Sequence, residues 1–141
     1  MRLLGVDFGF KRIGLAVMES EVGLPAPRNP LAASGKLKSD AGAISEAAKR
    51  EGAEGVVLGL PIEPSGEEGR MARICRQLAG HLEPFGRPVF LVDERLSSVQ
   101  AERVLLDGGL KASERRKKRD AEAACVILER YLEEARGNQT P

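Results

Sequence analysis

The sequence predicts an α/β fold: a mixed five-stranded sheet, antiparallel at its N-terminal strands and parallel thereafter, flanked by helices. Two short apolar runs, Leu3 to Phe8 and Ile13 to Met18, are separated by a few residues that include Gly9, which is the pattern of a hairpin. Further apolar runs then alternate with segments of helical period, and two helical segments close the chain.

The remaining strands are a weak run near Leu31 to Ala33, then Gly55 to Leu60 and Pro88 to Val92, each bounded by Gly, Pro or charge. A helix over Asp40 to Glu51 uses Ile44 and Ala48 as its apolar positions. Met71, Ile74, Cys75, Leu78 and Leu82 recur at the spacing of one buried helical face, and Arg70, Arg73 and Arg76 fall off it. A third helix opens at Ser97, with Gln100 as its capping-box partner, buries Ala101, Val104 and Leu105, and stops at Gly108-Gly109. The last helix begins at Asp120 and buries Ala121, Ala124, Cys125, Leu128 and Leu132.

A chain of 141 residues fits one domain, here residues 1–136, with 137–141 as a flexible tail. Lys and Arg number 22 against 21 Asp and Glu, so a polyanion must be held by a local patch rather than by bulk charge. No stretch reaches the roughly 18 apolar residues of a membrane span, which points to a cytoplasmic protein with no membrane partner. Cys75 and Cys125 lie on apolar helical stripes with no metal-ligand spacing and read as reduced core residues. His81 is the single histidine, which excludes His-rich zinc sites and leaves little room for a serine triad.

Carboxylates stand at the ends of elements. Asp7 closes the first strand, Asp93 and Glu94 follow the fifth, and Asp120 opens the last helix. If the first and fifth strands are parallel, Asp7 and the Asp93-Glu94 pair emerge on one rim, where α/β sheets place their functional crevice. A helix packed across the sheet brings Asp120 to them. Clustered carboxylates repel unless a cation joins them, and a hard ion with oxygen ligands, Mg²⁺ or Mn²⁺, fits acids that have no histidine or thiolate nearby. Such ions activate water and stabilise the entering and leaving oxygens when a phosphodiester is cut. Taken singly, Asp7 could bond its own turn, Asp120 could cap a helix, and Asp93 and Glu94 could be solvated rim charges.

The segment "KASERRKKRD" sets Lys111, Arg115, Arg116, Lys117, Lys118 and Arg119 directly before Asp120, a run that suits a polyanion backbone or a solvated surface. Lys11 and Arg12 at the start of the second strand, and Arg95 beside Glu94, extend that surface. Aromatic residues are few, so contact through backbone and shape is expected rather than base reading. The stretch "VVLGLPIEPSGEEGR" passes from a strand through a Gly/Pro loop into a helix whose first amides could meet a phosphate, but Glu67 and Glu68 in the expected first turn would compete with it.

Together these residues resemble the YqgF family of RuvX-like Holliday junction resolvases, which have an RNase H-like fold. The resemblance rests on "GVDFGFKRIGLAV", "GVVLGLP" followed by Gly66 and Gly69, "VDERLSS" and "KRDAEAACVILERYL", in the family's order over nearly the whole chain. It implies a metal-dependent nuclease with Asp7, Glu94 and Asp120 as the acidic triad, and it favours Glu94 over Asp93, which spacing leaves open. Ser97-Ser98 stands where threonines are frequent, and Ile62-Glu63-Pro64 departs from a more neutral loop. The family is described both as resolving four-way DNA junctions and as maturing precursor 16S ribosomal RNA, so the implied partner is branched DNA or structured precursor rRNA. A resolvase must cut two strands symmetrically, which predicts a homodimer on the substrate. Two rival readings are a non-catalytic nucleic-acid or ribosome-assembly module and a nucleotide-binding phosphotransferase. The latter would need a second domain that 141 residues do not supply.

Overall fold

β1 (Arg2–Phe8) and β2 (Arg12–Glu19) form the expected antiparallel hairpin, with Asp7 opposite Gly14. The structure, a computed structural model, describes residues 1–94 and 112–137, and the side chains of the final helix from Asp120 onward. β3 (Ala26–Ala32) pairs antiparallel with β2, while β4 (Gly55–Pro61) lies parallel to β1 and β5 (Val89–Glu94) parallel to β4. The sheet order is β3-β2-β1-β4-β5, so the C-terminal ends of β1, β4 and β5 share one rim. Helices α1 (Leu37–Arg50), α2 (Arg70–Leu82) and α3 (Ala112–Gly137) complete the described fold, with one 3-10 turn at Glu83–Phe85. This is an RNase H-like architecture.

Strand alternation divides the core in two, because successive side chains point to opposite faces. Leu4, Val6 and Phe8 of β1, Ile13, Leu15 and Val17 of β2, and Val56, Leu58 and Leu60 of β4 pack under α1 and α2. Leu3, Ala16, Met18, Val57 and Val92 face the other way and meet Ala124, Ile127 and Leu128 of α3. Among the described residues α3 alone covers that second face, crossing all five strands.

Glycines let α3 come this close. A Cβ built on Gly5 would stand 2.6 Å from Leu128 Cγ and 2.9 Å from the Ala124 carbonyl oxygen. One built on Gly14 would stand 2.9 Å from the carbonyl carbon of Asp120 and 3.3 Å from its Cα. Strand glycine here means close approach of a second backbone rather than a turn.

Three expectations are corrected. The third strand occupies Ala26–Ala32 rather than Leu31 to Ala33, because Pro27 and Pro30 mask it in sequence and are tolerated on a sheet edge. The last helix begins at Ala112, so Asp120 lies more than two turns inside it and is not its cap. The run of Ser, Glu, Arg and Lys before Asp120 has no apolar period, yet it is rich in residues of high helix propensity, which extend α3 towards its N-terminus. Finally, Glu67 and Glu68 precede α2, whose first residue is Arg70. The helix expected from Ser97 to Gly108-Gly109, with Arg95 and Lys111, lies outside the described residues, as does the tail beyond Gly137. Among the described residues no helix is long and apolar enough to cross a membrane.

Candidate active site

Asp7 shares its face of β1 with Leu3 and Gly5, so its carboxyl points to the side covered by α3. It is half-buried at the rim of the sheet. Loss of solvent first, and then the negative charge of Asp120, together push its pKa up from 3.8 to about 6.

Glu94 ends β5, in register with Pro61 of β4. It follows the parity of Phe90 and Val92, both packed in the α3 cluster, and so faces Asp7 across the rim. Its carboxylate lies over β4, where Oε2 would be 2.7 Å from a Cβ at Gly59; the missing side chain is the space it fills. Loss of solvent, then the charge of Asp7, with Arg130 opposing both, bring its pKa to about 8. Asp93 has the opposite parity and is exposed, sharing its face with Leu91. Alternation along β5 therefore separates the two neighbours, and Glu94 is the one brought to Asp7.

Asp120 reaches the same rim from α3, but its carboxylate is engaged. Arg12 Nε donates to Asp120 Oδ2 at 2.7 Å, in a pair whose side chains are 33% and 15% exposed. Arg12 precedes Gly14 by two on β2, so both lie on the α3 face, one meeting the Asp120 carboxylate and the other its backbone. Among the described residues no three His, Cys, Asp or Glu side chains form a ready cation cage. The Asp7 and Glu94 carboxylates interact through their charges, and Asp120, whose charge acts on Asp7, is paired with Arg12. The donor chemistry still fits a hard divalent ion: Asp7 and Glu94 are two half-buried carboxylates, the charge of Asp7 raises the proton affinity of Glu94, and Mg²⁺-type ions need only one or two carboxylates, completing their shell with water and phosphate oxygens.

The expected basic surface is partly placed. Lys11 is exposed in the hairpin turn, and its carbonyl accepts a bond from Ala33 N–H. Arg115, Arg116, Lys117, Lys118 and Arg119 fall in the opening turns of α3, of which the backbone is described. The loop after β4 is stitched to itself, Glu63 N–H to the Glu67 carbonyl and Gly66 N–H to that of Glu63. Glu63 sets its carboxylate against Gly69, the residue before α2, so the chain's own acid occupies the helix end that could otherwise meet a phosphate. Glu68 pairs bidentately with Arg76, at 2.7 Å through Nη2.

Sequence reasoning missed three features of this rim. Arg130 of α3 donates to the Asp93 carbonyl at 2.8 Å and is the cation that tempers Glu94. It lies ten residues after Asp120, nearly three helical turns, which would have been a usable signal. Gly5, Gly14 and Gly59 admit α3 and the Glu94 carboxylate. Phe10, 62% exposed at the turn, meets Phe8 edge-on at 6.4 Å between ring centres. On the opposite face Cys75 is buried in α2, and its thiol is pushed up to about 12, by burial first and then by the charges of Asp7 and Glu94.

Residues 1–134 match the family described as RuvX: Holliday junction resolvase. The chain belongs to this family. RuvX relatives include a protein of Anaeromyxobacter sp. (strain K) named "Putative pre-16S rRNA nuclease", 45% identical over 134 residues that cover 94% of this chain and 97% of the relative. A Moorella thermoacetica protein of the same name is 39% identical, over 94% of this chain and 95% of its own. Among solved structures, T. thermophilus RuvC in complex with Holliday junction substrate superposes with a TM-score of 0.58 at 18% identity, covering 97% of this chain and 96% of RuvC. At that identity the likeness is one of fold.

Proposed function

We propose that this RuvX chain is a divalent-metal-dependent endonuclease that hydrolyses phosphodiester bonds in structured nucleic acid, a four-way DNA junction or precursor 16S rRNA. The observation that carries the reading is the pair of half-buried carboxylates, Asp7 and Glu94, on one face at one rim of the sheet, with Asp120 presented from α3. Asp7 and Glu94 would hold Mg²⁺ or Mn²⁺, with Asp120 as the third ligand. When bound, such an ion supplies an activated water and stabilises charge on the phosphate oxygens. The chain's own residues do the rest. Arg130 holds down the proton affinity of Glu94, against the rise from burial and from the charge of Asp7. Lys11, Arg95, Lys111 and the basic opening of α3, Arg115 to Arg119, supply counter-charge for the phosphate backbone.

Residues 1–136 act as one nuclease domain in this reading, in the cytoplasm, and resolution of a junction would require two copies on the substrate. The ion pair between Arg12 and Asp120 favours one alternative, a nucleic-acid or ribosome-assembly module that binds without cutting.

End-labelled four-way junction, plain duplex and precursor rRNA fragments, incubated in Mg²⁺, Mn²⁺ or EDTA beside Asp7→Asn, separate these readings. Paired symmetrical cuts in the junction, lost in EDTA and in Asp7→Asn, are expected of a resolvase, and cuts confined to RNA are expected of a maturation nuclease. Binding without cleavage in any metal selects the non-catalytic module. Undiminished cleavage by folded Asp7→Asn refutes the site.

A further inference from the structure

We propose that Arg12 is a latch on Asp120: it withholds this carboxylate from the divalent ion until a phosphate of the nucleic acid takes the guanidinium. The proposal rests on the acidic-site reading above and deepens it by naming the residue that couples ion binding to substrate binding.

Four observations place the latch. Arg12 Nε and Asp120 Oδ2 are 2.7 Å apart, a charge-assisted bond in a partly buried setting. The Asp120 charge is felt at Asp7, so the carboxylate that Arg12 holds is within electrostatic reach of the pair that would bind the ion. The helix backbone at Asp120 is seated on Gly14, and a shift of α3 towards the sheet would drive it into β2. In the latch Asp120 is released by rotation of its side chain, with the helix backbone left seated on Gly14. Lastly, Arg12 is one-third exposed and follows Lys11, which is open to solvent in the turn, so an arriving backbone phosphate meets this pair of cations first.

The chemistry of the guanidinium makes the exchange reasonable. Its planar fork matches a phosphate as well as a carboxylate, and it keeps its charge at any working pH. One cation cannot fully satisfy both anions, and an oxygen that accepts from Arg12 is a poorer ligand for a metal. Phosphate binding at Arg12 frees Asp120 and raises ion affinity, and by linkage a bound ion raises affinity for the phosphate by the same factor. In the absence of nucleic acid the site is left with two carboxylates for the ion and binds it weakly.

The test measures Mn²⁺ affinity by titration followed by electron paramagnetic resonance, using the full chain without nucleic acid, for the native protein, Arg12→Gln, Asp120→Asn and the double variant. The latch predicts that Arg12→Gln binds Mn²⁺ about tenfold more tightly, the worth of one hydrogen bond to a charged group. In the Asp120→Asn background the same change should move affinity by no more than about twofold, because the coupling resides in the pair. Arg12→Lys, which keeps the charge but loses the fork, should tighten binding by an intermediate factor and serves if Arg12→Gln does not fold, as judged by thermal melts. Unchanged or weaker binding in a folded Arg12 variant overturns the latch. An equal gain in the Asp120→Asn background also overturns it, since that is general charge relief. Asp7→Asn is the control for the underlying site: if it keeps native Mn²⁺ affinity, the acidic-site reading itself fails, whereas loss of affinity there with no gain in Arg12→Gln removes the latch alone.

Discussion

Replacing Asp7 by Asn should make the metal-free protein more stable at pH 8 while abolishing its cleavage. Asp7 is half-buried beside Asp120, and its pKa rises from 3.8 to about 6. A rise of that size corresponds to roughly 3 kcal/mol of unfavourable free energy in the ionised folded state. The sign follows from proton linkage. Between the unfolded carboxyl pKa near 4 and the folded values of about 6 and about 8, the folded state holds more protons than the unfolded one, so stability falls as pH rises through that window. Part of the Glu94 rise is the same repulsion by Asp7, and it is counted once. Asn keeps the shape of Asp, removes the charge and carries a burial cost of its own of about 1 kcal/mol. The net gain expected at pH 8 is about 2 kcal/mol, or about 5–10 °C in Tm for a chain of this size. Near pH 4, where native Asp7 is protonated when folded, the gain should vanish. Thermal melts in EDTA at pH 4 and pH 8, followed by circular dichroism, measure both. A Tm for Asp7→Asn at pH 8 equal to or below the native value, or a gain of the same size at both pH values, would refute the electrostatic account of the site.

Further predictions concern the neighbours. Glu94→Gln should lower metal-dependent cleavage at least about a hundredfold, while Asp93→Asn, on the other face of β5, should stay within a few-fold; single-turnover assays of both decide the matter. Gly14→Ala should destabilise the fold by about 1–3 kcal/mol and reduce cleavage, because its methyl group meets the α3 backbone at Asp120; a neutral melt would show that the helix is not seated there. Mn²⁺ added well above its dissociation constant should raise the native Tm more at pH 8 than at pH 5, since protons compete for Asp7 and Glu94 below their raised pKa values; equal shifts at both pH values would place the ion elsewhere.

The comparison of sequence with fold turns on a few residues. Asp7 was legible because an acid that ends an apolar run just before Gly9 stands out against both. The choice between Asp93 and Glu94 was not legible from the pattern, since Phe90, Leu91 and Val92 are all apolar: a parallel strand packed on both sides has no polar face to reveal its parity. Asp120 was found, but its place in the helix was misread, because α3 extends towards its N-terminus on propensity and charge with no apolar stripe to mark it.

The sequence by itself determined the class of fold, the order of its described elements and the family, and it singled out the acids of the proposed site, because those depend on local periodicity and on motifs that survive in the linear order. Only the tertiary structure decided that Glu94 faces Asp7, that strand glycines seat α3 against the sheet, and that Arg12 grips Asp120. Those facts arise from which side of a strand meets which turn of a helix across 108 residues of chain, a distance at which no local pattern carries information.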